Sequence, residues 1–154
     1  MMMDAVIAFA DTNVFLTATD QSRPQHEAAN SLIRKAVAGH HQLALSGQVV
    51  REYLVVATRP IDVNGLGLSS DDALKNIGVF ASPPFAFCEE SENVNSRLRS
   101  MVEIHALTGK AIHDANVVAT MLTSGITTLV TQNPSDFVRY EQIKVIRLDE
   151  FGLP

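Results

Sequence analysis

The sequence is poor in cysteine and in positive charge, and it has no long apolar run; each shortage removes a class of function. Its one cysteine, Cys88, allows no internal disulfide, so the chain reads as a cytoplasmic protein rather than a disulfide-stapled secreted domain. No apolar stretch reaches the roughly 18 residues of a membrane span, so no membrane role is expected. Met1-Met2-Met3-Asp4 lacks the positive segment that opens a signal peptide. Five histidines occur without a ligand spacing such as H-x-x-x-H, which argues against a zinc site. Lys and Arg number 12 against 17 Asp and Glu, a net charge of −5. Proteins that hold nucleic acid by charge alone are basic. This chain therefore either avoids phosphates or recruits a cation to meet them.

What is present describes a globular α/β chain. With 154 residues, 46% apolar and 19% charged, it suits one domain over residues 1–154. Short apolar runs at residues 5–10, 43–45, 85–88, 127–130 and 144–148 read as strands. Helical spacing marks residues 24–39, 47–58, a stretch beginning near Ser70, 93–107 and 112–124. Ser46 and either Ser69 or Ser70 stand where helix caps are wanted, and Pro60 stops the second helix. Residues 60–70, with Asn64-Gly65 and Gly67, form a turn-rich loop. Helices alternating with apolar strands predict a mostly parallel sheet covered on both faces.

In such a sheet ligands bind beyond the carboxyl ends of the strands. Asp11 follows the first predicted strand and Glu52 lies in the helix after the second. Asp114 opens a later helix, and Asn133 and Asp136 follow the fourth strand. Taken singly, each has a local role open to it. Asp11 and Asp114 can cap helices, and Asp136 can close the turn at Asn133-Pro134. Glu52 can pair with Arg51 or Arg59. Taken together those roles fit poorly, because clustered carboxylates repel and persist only beside a compensating cation. Oxygen-only donors favour a hard ion, Mg²⁺ or Mn²⁺, which binds phosphate oxygens and activates water.

The order Phe9-Ala10-Asp11-Thr12-Asn13-Val14, Gln48-Val49-Val50-Arg51-Glu52, His113-Asp114-Ala115 and Thr131-Gln132-Asn133-Pro134-Ser135-Asp136-Phe137 resembles the PIN-domain ribonucleases. The likeness is greatest to the VapC-type toxins of bacterial toxin–antitoxin pairs, and it spans essentially the whole chain. It implies a three-layer α/β/α sandwich, a Mg²⁺- or Mn²⁺-dependent endoribonuclease acting on RNA, a homodimer and a cognate antitoxin. By position, Asp11, Glu52 and Asp114 match the most regular acids of the family. Asp11 and Asp114 would ligate the metal, Glu52 would ligate it or orient water, and Thr12 and Asn13 would fix Asp11. Ser46 matches a small hydroxyl residue before the Glu-bearing helix, and Thr131 reads as a structural hydroxyl at the edge of the site. The chain departs from the pattern at Asn133, where many relatives carry a fourth acid; Asp136 stands three residues on as its replacement. Arg51, Arg59, Lys110 and Arg139 lie beside these motifs as candidate phosphate contacts.

Two other readings compete. A PIN-like binding module with weakened catalysis would explain Asn133. A phospho-aspartate phosphoryl-transfer protein would also place Asp at strand ends, but Asp11-Thr12-Asn13 lacks the second Asp two residues on that such a phosphatase uses as its acid.

Overall fold

Ala8, Phe9 and Ala10 have no exposed surface, and this follows from where their strand lies. β1 (Ile7–Ala10) is the middle strand, so residues facing either way meet helices and no polar alternation is needed. The computed structural model describes residues 6–151; Ala5, assigned by its sequence to the first strand, lies outside them. β2 (Gln42–Ser46), β3 (Ala86–Cys88), β4 (Thr128–Thr131) and β5 (Lys144–Arg147) complete the sheet. Its order is β3-β2-β1-β4-β5, with every neighbouring pair parallel.

Helices α1 (Thr12–Thr19), α2 (His26–Val37), α3 (Gly47–Thr58) and α4 (Ser70–Phe80) pack as one group, α1 on α2 and α3, and α3 on α4. α5 (Glu92–His105) and α6 (Ala111–Thr123) pack on each other. The result is the expected three-layer α/β/α sandwich. The chain moves outward from β1 through β2 to β3, then returns past β1 to β4. Strand order therefore reverses at the β1/β4 boundary, and the crevice for a ligand opens at the carboxyl ends of those two strands.

The predicted helices and strands match observed ones to within about two residues; α1, and three short 3-10 turns at Ile61–Val63, Pro134–Phe137 and Leu148–Glu150, have no counterpart among them. The α1 sequence Thr-Asn-Val-Phe-Leu-Thr-Ala-Thr is rich in β-branched and aromatic residues, which are poor helix formers. Burial of Thr12, Val14, Phe15, Leu16 and Thr17 overrides that preference. The predicted caps divide. Ser69 caps α4 by accepting from the Asp72 amide at 3.1 Å. Ser46 occupies the cap position of α3 but makes no capping bond, and its buried hydroxyl has no hydrogen-bond partner among the described residues.

Between α3 and α4 the loop is held by its own backbone. Leu66 and Leu68 amides donate to the carbonyls of Val56 and Ala57, and Gly65 and Gly67 amides to those of Pro60 and Arg59. Gly65 lies so close to the Arg59 carbonyl that a Cβ there would overlap it. Beneath, Phe15 of α1 packs against Phe80 of α4 with ring centroids 4.8 Å apart and tilted by 42°, and Phe85 and Tyr53 meet Phe80 edge-on at 6.0 and 6.1 Å. Such pairs add to plain area burial. Phe15 is fully buried, and it anchors the helix that Asp11 begins. Phe15→Ala is expected to lower stability by about 3–5 kcal/mol, read as a shift of the urea midpoint at unchanged slope.

Candidate active-site cleft

Asp11 is the first residue after β1, in extended conformation, and starts α1. The Thr12 amide donates to Asp11 Oδ1 at 2.9 Å, so the capping role is real but local. The other oxygen, Oδ2, accepts from the Thr131 hydroxyl at 2.8 Å and from Asn13 Nδ2 at 3.4 Å. Thr131 ends β4, directly across the reversal point, and is fully buried. Its oxygen also accepts from Asn13 Nδ2 at 3.2 Å and from the Asn133 amide at 3.1 Å. Asn13 Oδ1 in turn accepts from the Gln132 amide at 3.1 Å. A knot of hydrogen bonds thus binds the ends of β1 and β4.

Thr12 bonds Asp11 as expected, through its backbone amide, and its hydroxyl makes a second contact, donating to Glu52 Oε2 at 2.9 Å. Glu52 takes its second bond, at Oε1, from Gln48 Nε2 at 2.7 Å. Neither Arg51 nor Arg59 pairs with it. Arg51 instead reaches Glu90 at 3.6 Å, a residue outside the predicted site.

Asp114 lies inside the first turn of α6, with Lys110 at the cap position, so capping is not its role. Asp136 sits in a single 3-10 turn, Pro134–Phe137, that follows Asn133. Asp11, Glu52, Asp114, Asn133 and Asp136, with Thr12 and Asn13, line one cleft of about 740 Å³. Arg23, Arg51, Arg59 and Lys110 line it too. Arg139 does not; it borders a separate hollow beside Tyr140 and His105. Ser46 and Thr131 are buried rather than on the cleft surface.

Crowding leaves its mark on proton affinity. Burial pushes the Asp11 carboxyl up to about 6, against the lowering effect of the Thr131 and Thr12 hydrogen bonds, and the charges of Glu52 and Asp114 push the same way. Asp114 is also raised, first by burial and then by Asp136, while Lys110 partly offsets both. Asp136 therefore stands near Asp114, the corner where the sequence carries Asn133.

These donors fit a hard divalent cation. The cleft acids are oxygen donors only, and among the described residues none of them belongs to an ion pair. No three His, Cys, Asp or Glu side chains among the described residues form a ready-made ligand cluster.

The PIN domain family pattern matches residues 8–142. Ribonuclease VapC48 of Mycobacterium tuberculosis is 29% identical over 136 residues, covering 88% of this chain and 92% of that protein. Among solved structures, VapBC2 from Rickettsia felis bound to a promoter DNA fragment superposes with a TM-score of 0.65 at 18% identity, over 92% of this chain and 98% of that one. The sarcin–ricin-loop-cleaving toxin VapC20 of Mycobacterium tuberculosis gives a TM-score of 0.60 at 15% identity, over 80% and 86%.

An ionised Asp11 should weaken the metal-free fold. Its folded-state pKa, about 6, lies above the ordinary 3.8, so its stabilising contribution is complete below pH 3.8 and is lost as pH rises through about 6. Between pH 4 and pH 8 in chelator, the wild type is expected to lose roughly 1–3 kcal/mol more stability than Asp11→Asn, which has no carboxyl to ionise there. Urea midpoints that change equally for the two proteins over that range would contradict the assignment.

Proposed function

The chain belongs to the PIN-domain family, and from that premise we propose that it is a divalent-metal-dependent endoribonuclease, the toxin of a toxin–antitoxin pair. The observation that carries this reading is the convergence of Asp11, Glu52, Asp114 and Asp136 on one cleft at the β1/β4 reversal, without a neutralising ion pair among the described residues. The similarity to Ribonuclease VapC48 supports RNA as the substrate. Similarity to proteins solved as VapBC toxin–antitoxin assemblies supports an antitoxin partner. A homodimer and a cytoplasmic setting complete the proposal, with residues 1–154 acting as one nuclease domain; no described helix is long and apolar enough to cross a membrane.

In this mechanism Asp11 and Asp114 would be the carboxylates that hold Mg²⁺ or Mn²⁺. The ion, when bound, draws electron density from the phosphate and favours hydroxide over water. Asn13 and Thr131 both donate to Asp11 Oδ2, which leaves Oδ1, bonded only by the Thr12 amide, as the oxygen with spare acceptor capacity. Glu52 has one hydrogen bond on each oxygen and orients the attacking water with what remains. Asp136 adds negative charge beside Asp114 where Asn133 offers only an amide oxygen. Arg59 and Lys110, on the rim, meet phosphates on either side of the scissile bond. This division also accounts for a negatively charged protein acting on a polyanion: the ion and a few rim cations supply the contact that net charge does not.

Incubation of total RNA with the wild type and Mn²⁺ should give discrete cleavage products that chelator abolishes and fresh Mn²⁺ restores. Asp11→Asn should reduce the rate by at least about 100-fold, the upper end of what partners outside the ligand set cost. Equal cleavage by both proteins, or none by either, would remove the nuclease reading.

A further inference from the structure

Beyond the cleft surface lies a chain of side-chain amides that the acid motifs do not include. Gln48 precedes Glu52 by one helical turn of α3, so both occupy the same face. Gln48 is buried, 4% exposed, and its polar atoms are all engaged. Nε2 donates to Glu52 Oε1 at 2.7 Å and to the His113 carbonyl of α6 at 3.0 Å. Oε1 accepts from Asn116 Nδ2 at 2.7 Å. Asn116 donates equally to Glu90 Oε1 at 2.7 Å, and Glu90 is tied to Arg51 at 3.6 Å. The pattern fixes which end of each amide is which. Gln48 can give two hydrogen bonds only if its oxygen turns to Asn116, and Asn116 can serve two acceptors only through its nitrogen.

We propose that Gln48, oriented by Asn116 and Glu90, is a positioning residue that locks the Glu52 carboxylate relative to the α6 turn carrying Asp114. The inference rests on the reading of the cleft as an RNA-hydrolysing site. Without Gln48, Glu52 would keep only the Thr12 bond and could rotate about its outer torsions. It would still be present, but at variable distance from the water it orients. His113 is the residue before Asp114, so the same amide ties the Glu52 carboxylate to the backbone beside a second cleft acid. Among the described residues Asn116 and Glu90 make no hydrogen bond to a cleft acid; they act through Gln48. A packing role alone would require volume at position 48, not a donor.

The test separates these roles. Gln48→Met keeps the length and removes the donors, and Asn116→Ser removes the outer support at a half-buried position, should the first variant fold poorly. With a fluorescently labelled RNA hairpin that the wild type cleaves in Mn²⁺, Gln48→Met is expected to lower kcat by about 10–100-fold, as partners that orient ligands do, with KM within about threefold. Asn116→Ser should lower kcat less, and the double variant should be no slower than Gln48→Met alone, because both act through one contact. Independently of activity, the Gln48 side-chain amide protons should exchange slowly with solvent in the wild type and faster in Asn116→Ser. Wild-type kcat in Gln48→Met, a change confined to KM, or rapid exchange in the wild type would overturn the proposal. Slow exchange in a wild type that cleaves no RNA would overturn the hydrolytic reading and with it the positioning role, leaving only a structural clasp between α3 and α6.

Discussion

The hydrogen bond from the Thr131 hydroxyl to Asp11 is the contact on which the cleft depends. It spans 120 residues of sequence and joins the ends of two strands that are neighbours only because the strand order reverses there. The hydroxyl has one proton, and it is given to Asp11; its lone pairs are occupied by Asn13 and the Asn133 amide. Nothing in the knot can rotate without leaving a buried polar group unmet, an outcome costing on the order of 1–3 kcal/mol per group. The orientation of Asp11 is therefore set by the sheet. The turn that leads to Asp136 is attached to the same atom, so the two sides of the cleft share one anchor.

Rigidity and repulsion are two aspects of this design. Donors directed at Asp11 favour its charged form, yet burial and the neighbouring acids outweigh them and leave its carboxyl near 6. The fold thus holds a carboxylate in a place where it is electrostatically unwelcome. That is a poor arrangement for stability alone and a sensible one for a site completed by a cation. The rim follows the same logic. Arg51 is engaged with Glu90 and Arg23 with Asp20 at 3.5 Å, so neither neutralises a cleft acid. Positive charge lies close enough to meet a polyanion while leaving the acids unpaired.

Much of this was legible in the sequence, and the omissions have physical reasons. Asp11 and Asp136 stood out because they follow strands, Glu52 because its helix is otherwise apolar, and Asp114 because it opens a helix, all of which are local signals. Helix α1 was hidden because Thr-Asn-Val-Phe-Leu-Thr has Leu as its one strong helix former, so its conformation is decided by burial. Strand order is invisible to periodicity, so the reversal that brings Thr131 beside Asp11 appears only in three dimensions. Gln48 stood within a quoted motif, and its spacing of four from Glu52 was a usable signal. Its other contacts, at separations of 65 and 68 residues, leave no pattern along the chain. Glu90 and Asn116 escaped notice for the same reason.

The two halves of the acid set differ in how they are held, and the difference bears on the Asn133 substitution. Asp11 and Glu52 are part-buried, each with hydrogen bonds on both oxygens. Asp136 is exposed, in a short 3-10 turn, and is felt by Asp114 through charge. A carboxylate at position 133 would stand next to the backbone amide that bonds Thr131, close to the anchor itself. Asn133 thus gives its backbone amide to the anchor, while Asp136 acts on Asp114 by charge from the exposed turn that follows.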